Sequence, residues 1–150
     1  MTQQGILVAV SVSGTKGVRK QNVERARLRA DWGIEGDAHA GEWHRQISLL
    51  ALESIRKMQA LGLEVTSGDF AENLTTQGID VPRLHIGDRV AVGETELEIT
   101  QIGKECHTRC AIYEQAGDCV MPKEGVFARV LRGGEVRPGD TVTVVAATTL

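Results

Sequence analysis

The chain has 150 residues, a formal net charge of -3, 41% hydrophobic and 25% charged residues, a profile that excludes a disordered chain and suits one domain with an adequate core. The slight negative balance argues against a general polyanion-binding role, so no nucleic-acid partner is expected. No stretch approaches the roughly 18 apolar residues of a membrane-spanning helix, and Met1-Thr2-Gln3-Gln4 lacks the basic start of a signal peptide, which predicts a cytoplasmic protein with one domain over residues 1–150 and no membrane partner.

Ile6, Val8, Val10 and Val12 alternate with Leu7, Ala9 and Ser11, which predicts a first strand with one strongly apolar face ending at the Ser13-Gly14 turn. Alternation resumes from Val23 to Ala30 and places Arg25, Arg27 and Arg29 on one face, opposite Ala26, Leu28 and Ala30. Such a stripe is either the solvated side of a half-buried strand or an anion-binding surface. A loop punctuated by Gly33, Gly36 and Gly41 follows, then a short strand over Gln46–Leu50. Leu52, Ile55 and Met58 recur at helical spacing as far as Leu61, and Gly62 supplies a left-handed stop.

Asn73–Thr76 reads as another short strand. Arg89–Val92, Gly93-Glu94 and Thr95–Thr100 form a hairpin pattern, with Gly first in a two-residue loop as a type II′ turn requires. Val126–Leu131 before Gly133-Gly134 reads as a short helix or a strand, with helix favoured, and Thr141–Val145 as extended. The turns Ile86-Gly87-Asp88-Arg89-Val90 and Pro138-Gly139-Asp140-Thr141-Val142 are locally alike, each launching an alternating strand. Many short strands, glycine turns and one long helix predict a mainly β fold: a closed or barrel-like, largely antiparallel sheet with one clear helix and short additional helices.

The residue types that carry chemistry gather in two places. Cys106 follows the apolar run Leu97–Ile102 and is flanked by Lys104, His107 and Arg109; positive neighbours favour a thiolate, which is both nucleophile and soft metal ligand. Three cysteines, Cys106, Cys110 and Cys119, are an odd number in a chain large enough to fold without staples, and read as reactive or ligating thiols rather than a disulfide framework. His39 and His44, with Asp37 and Glu42 nearby, offer imidazole and carboxylate for a metal, or else hold the loop by hydrogen bonding and packing near Trp43. With the cysteines they also permit a zinc-type structural or regulatory module. No phosphate loop, dinucleotide fingerprint or Gly-x-Ser-x-Gly elbow is present.

Taken in order, Gly33-x-x-Gly36-Asp37-x-His39-x-Gly41, Glu72-Asn73-Leu74-Thr75 ahead of Gly78, Ile86-Gly87-Asp88 and the strand entering Gly103-Lys104-Glu105-Cys106 resemble the MOSC domain. That module is found at the C-terminus of molybdenum-cofactor sulfurases and as small stand-alone bacterial proteins. The resemblance implies a barrel-like, mostly β fold and the molybdenum cofactor (molybdopterin) as ligand. It makes Cys106 the catalytic residue, carrying sulfur as a persulfide or ligating the metal; His39 and His44 stay metal candidates on their residue types alone. Arg25, Arg27, Arg29, Arg45, Lys104 and Asn73 are then candidates for holding the cofactor, the cations through charge-assisted bonds to its phosphate. The larger relatives carry an additional β-barrel or a pyridoxal-phosphate desulfurase domain, neither of which is expected here. The expected partners are therefore a cysteine desulfurase or other sulfur donor, and a molybdoenzyme or cofactor-biosynthesis protein. A sulfurtransferase-like activity, and a reductase of N-hydroxylated compounds like other family members, are both compatible with this resemblance.

Overall fold

The computed structural model describes residues 2–15, 20–70, 72–103 and 124–145. Eleven strands are formed in these residues: β1 (Thr2–Val12), β2 (Gln21–Val23), β3 (Ala26–Arg29), β4 (Gly33–Ile34), β5 (Ile47–Ala51), β6 (Leu74–Gln77), β7 (Arg89–Val92), β8 (Thr95–Ile102), β9 (Val126–Arg132), β10 (Gly134–Val136) and β11 (Thr141–Val145). One helix, α1 (Leu52–Ala60), follows β5, and a short 3-10 turn spans Val81–Arg83. The sheet runs β11-β7-β8-β9-β5-β6-β1 and closes through β1–β11, a seven-strand barrel with β2 added beside β1. Among the described strands only the β5–β6 pairing is parallel; β10, β3 and β4 make a separate small sheet.

The strand pattern explains two separate cores. Ile47, Leu49 and Ala51 on β5, Val126, Ala128 and Val130 on β9, and Leu97 and Ile99 on β8 fill the barrel. Leu50 and Phe127, which point the other way because side chains alternate across a strand, pack outside it against Ile55, Met58, Val65 and Phe70. Each fully buried side chain of this size contributes about 1.5–3 kcal/mol. Helix α1 stops where the sequence predicts: Gly62, at φ +92°, lets its N–H donate to Gln59 O (2.9 Å) while Leu63 N–H reaches Met58 O (3.4 Å). This is a Schellman stop, and Leu63 packs into the outer core.

The hairpin is as predicted, with Arg89 opposite Glu98 and Val92 opposite Thr95 and Gly93 at φ +55°. The two look-alike turns are also alike in space. Gly87 N–H donates to Ile99 O and Gly139 N–H to Leu7 O, each at 2.8 Å, and Asp88 and Asp140 each accept the N–H three residues earlier, from His85 and Arg137. The strands they launch, β7 and β11, pair with each other.

Three expectations need correction. The apolar face of β1 is not continuous, because a bulge between Leu7 and Ala9 shifts the alternation: Leu7 and Val10 enter the core while Ile6 is 44% exposed. The run Val23–Ala30 is not one strand. Its first part pairs with β1 and its second with β10 and β4, so the chain changes sheets at Glu24-Arg25. The segment Val126–Leu131 is a strand and not a helix, since β5 and β8 both hydrogen-bond to it and α1 covers its outer face at Phe127. An apolar run buried on both faces has no period by which to tell the two apart.

Candidate functional site

The outer face of the β1-β6-β5-β9-β8 wall is polar where α1 does not cover it. Ser48 lies between the core residues Ile47 and Leu49 and therefore faces outward. Asn73, fully buried, ties three strands there. Its Oδ1 accepts from the Ser48 backbone (2.9 Å) and hydroxyl (3.2 Å), and its Nδ2 donates to Ser11 O (3.1 Å). The carboxamide of this cofactor candidate is thus engaged by β5 and β1.

Beside this clamp Lys20 Nζ donates to Asp37 Oδ1 at 2.7 Å, with both side chains at 0% exposure. The same oxygen accepts Ser13 N–H, and Oδ2 accepts His39 N–H, both at 3.0 Å. Burial pushes the Asp37 carboxyl up, but His39, Lys20 and the Ser13 N–H outweigh it and hold the group well below the usual carboxylate range. His39 Nδ1 stands 3.6 Å from Asp37 Oδ2, beyond hydrogen-bond distance, and has no hydrogen-bond partner among the described residues although it is buried.

Trp43 joins His39 to His44. Its ring is stacked within 3° of the His39 plane at 6.5 Å, meets His44 edge-on at 6.0 Å, and its Nε1–H donates to His39 O (2.7 Å). The following chain crosses the outside of β9 to β8. Gln101, the cross-strand partner of Phe127, has its Oε1 2.8 Å from His44 Nε2 and accepts from Arg45 Nε at 2.9 Å; Thr100 Oγ1 donates to His44 O. The Arg45 guanidinium lies over the Phe127 ring at 5.1 Å and the Trp43 ring at 6.0 Å. A groove of ≈ 590 Å³ opens next to these residues, lined by Asp31, Glu42, Trp43, His44, Glu98, Thr100 and Arg129.

His39, His44, Arg45 and Asn73 are therefore brought to one face. Arg27 and Arg29 lie on the exposed side of β3 in the small sheet, where Arg29 stands 3.9 Å from Glu35 and 5.9 Å over Trp32; Arg25 is exposed in the break between β2 and β3. Cys106, Lys104, His107, Cys110 and Cys119 lie outside the described residues. The flanks of their segment are fixed: Gly103 N–H donates to Gly125 O (2.7 Å), Gln101 Nε2 donates to Gly103 O (2.8 Å), and Glu124 accepts from Ser54 and Lys57 of α1. Segment 104–123 thus begins three residues after Gln101, whose side chain binds His44 and Arg45. Among the described residues, no group of three His, Cys, Asp or Glu side chains is placed to hold a metal ion.

Three members of this face escape sequence reasoning. Lys20 and Gln101 carry no motif, since their roles come from partners 17 and 56–57 positions away. Glu72 belongs to a segment that the resemblance singles out, yet nothing in the sequence shows it to be fully buried. Its oxygens accept from Phe70 N–H (3.2 Å) and the Thr75 hydroxyl (3.4 Å). Burial pushes it up to about 7, with Asp69 adding to the rise and backbone N–H groups of Gly68, Glu72 and Phe70 opposing it.

A closed, mostly antiparallel barrel with imidazole, guanidinium and carboxamide groups gathered on one outer face defines a small β-barrel domain. The MOSC domain model matches residues 36–143, so the chain belongs to the MOSC domain family, which is generally associated with the molybdenum cofactor. In fold it is similar to the YuaD protein from Bacillus subtilis, with 17% identity, a TM-score of 0.83 and 99% of each chain covered. It is also similar to YiiM from Escherichia coli, with 18% identity, a TM-score of 0.69, and 98% of this chain and 72% of that one covered. YiiM from Geobacillus stearothermophilus gives 20% identity and a TM-score of 0.63, covering 94% and 73%. No curated protein matches the chain. Among the described residues no helix is long and apolar enough to cross a membrane.

Proposed function

We propose that this outer face holds the anionic pterin of the molybdenum cofactor or of a precursor, and that Cys106 carries sulfur or ligates the metal, making the protein a cytoplasmic carrier or sulfuration accessory. The observation that carries the reading is the state of Arg45. Its Nε is pinned to Gln101, its plane is fixed over Phe127 and Trp43, and its two terminal nitrogens have no hydrogen-bond partner among the described residues. A guanidinium so held presents a fork that suits a phosphate or phosphate monoester. The His39 imidazole, which turns its Nδ1 edge to Asp37 and leaves its Nε2 edge for the ligand, and the nearby His44 ring complete a hydrogen-bonding set that fits an anionic heterocycle better than a bare metal ion.

Each residue then has a task. Arg45 takes the phosphate, Gln101 and Phe127 hold Arg45, and Asn73 with Ser48 keeps β1, β6 and β5 in register beneath. When bound, the group would supply a molybdenum centre able to accept a sulfur ligand. The thiolate of Cys106, in its basic sequence setting, would attack the sulfane sulfur of a donor persulfide and release the donor as its thiolate. The donor is a cysteine desulfurase or another sulfur carrier, and the acceptor a molybdoenzyme or a cofactor-biosynthesis protein.

The test is to purify the protein from cofactor-producing cells and to measure molybdenum, pterin fluorescence after oxidation, and cyanide-labile sulfur. Wild type is expected to carry pterin and labile sulfur, Cys106→Ser to lose the labile sulfur, and Arg45→Ala to lose the pterin. Equally low values of all three in wild type and Cys106→Ser overturn the proposal.

A further inference from the structure

We infer that Asp37, backed by Lys20, fixes the neutral His39 ring in its Nδ1–H tautomer, so that His39 offers the site a lone pair at Nε2 rather than a proton. Its use toward the cofactor rests on the function proposed above; the tautomer itself does not. The carboxylate cannot turn away from the ring. Lys20 Nζ and Ser13 N–H hold Oδ1 at 2.7 and 3.0 Å, and His39's own N–H holds Oδ2 at 3.0 Å. These three donors come from three stretches of chain, so rotating the carboxylate breaks contacts in all of them.

The ring is held as firmly. Trp43 stacks within 3° of its plane and anchors the His39 carbonyl through Nε1–H. The imidazole edge that carries Nδ1 is buried and faces Asp37 Oδ2 at 3.6 Å. An ionised carboxylate is an acceptor only. A bare Nδ1 would set lone pair against lone pair at that separation in a buried setting where water does not screen them. A protonated Nδ1 turns the same approach into an attraction. The proton of the neutral ring therefore belongs on Nδ1, and Nε2 carries the lone pair.

This divides the work of the face. A lone pair accepts a ring N–H, an S–H or a metal ion, and it repels phosphate oxygens, which leaves the phosphate to Arg45. Lys20 and Asp37 touch no ligand in this scheme. They are positioning residues, and a carboxylate that sets the tautomer of an imidazole is the arrangement by which ligating histidines are tuned.

The experiment is a long-range ¹H–¹⁵N correlation spectrum of the full chain, uniformly ¹⁵N-labelled and free of cofactor, recorded at a pH above the histidine titrations. His39 is assigned by the resonances lost in His39→Gln. The wild-type ring is expected to show a pyrrole-type Nδ1 and a pyridine-type Nε2 as the majority form, and Asp37→Asn, whose amide can turn its NH₂ toward the ring, to make that form the minority. An Nε2–H majority in wild type, or an unchanged ratio in folded Asp37→Asn, overturns the inference. If Asp37→Asn does not fold, the wild-type spectrum decides alone. An overturned tautomer with pterin still bound leaves the proposed function standing. The expected tautomer in a protein that binds no pterin supports the inference while sinking the cofactor reading.

Discussion

Lys20 Nζ and Asp37 Oδ1 form an ion pair at 2.7 Å with neither side chain reaching solvent. Desolvating two charges is expensive, so such a pair is repaid only by its own attraction and the extra bonds from Ser13 and His39. Lys20→Met strands the carboxylate and is expected to cost about 3–5 kcal/mol in urea unfolding. Lys20→Met with Asp37→Asn should recover much of that loss, because the stranded charge is gone. A double variant as unstable as Lys20→Met would show that the charge is not the source.

The same pair sets behaviour in acid. The folded Asp37 carboxyl is held far below its ordinary value of 3.8, so its stabilisation is present at neutral pH and is lost as pH falls below about 4, where the unfolded chain takes up the proton first. Acid unfolding monitored by circular dichroism should lose this low-pH contribution in Asp37→Asn.

Glu72 acts with the opposite sign. The unfolded carboxyl ionises near 4.5 and the folded one near 7, so between those values the folded state binds more protons and stability falls as pH rises. Above about pH 7 the penalty is complete, on the order of 3 kcal/mol. Glu72→Gln keeps an acceptor for Phe70 N–H, replaces the oxygen that accepts from the Thr75 hydroxyl with an NH₂ that can donate to it, and carries no charge. Urea midpoints at pH 5 and pH 8 should therefore fall in wild type and stay nearly level in the variant. Parallel slopes for the two proteins would rule this out.

Gly68→Ala tests the strap that carries Lys20. Gly68 sits at φ +93°, and a Cβ there would run into Lys20 O, with Ser11 Oγ 3.1 Å away. The left-handed backbone alone costs about 1–3 kcal/mol for a residue with a side chain. Because Lys20 N–H is bonded to Gly68 O (2.7 Å), the displacement should also disturb the His39 resonances. Loss of stability with an unchanged His39 spectrum would separate the strap from the site.

Arg45→Lys keeps the charge but loses the Nε–Gln101 bond and the planar fork over Phe127. Pterin content is expected to drop several-fold, close to that of Arg45→Ala, with little change in unfolding midpoint. Retention near the wild-type level would mean that charge alone holds the ligand.

Local patterns carried a large part of the fold. Gly62 ended α1, Gly93 first in its turn made the hairpin, and the Gly87-Asp88 and Gly139-Asp140 turns each launched a strand, since a turn is decided by a few adjacent φ values. Ile6 went astray because a bulge depends on the partner strand, and Val126–Leu131 because burial on both faces erases periodicity. For the site, Asp37, His39, Glu72 and Asn73 stood in ordered segments that resemble a known module, whereas Lys20 and Gln101 offered no signal and nothing local showed that Glu72 is buried.

The residues alone determined the mainly β class, the turns and helix α1, and supplied the imidazole, guanidinium and carboxamide groups from which a site is proposed, because these follow from local backbone preference and side-chain chemistry. Only the tertiary structure decided which groups meet: barrel closure through β1–β11, Gln101 joining His44 to Arg45, and Lys20 buried against Asp37. Contacts between residues tens of positions apart are set by register and by which face of a strand is covered, and neither is written in the spacing of one strand.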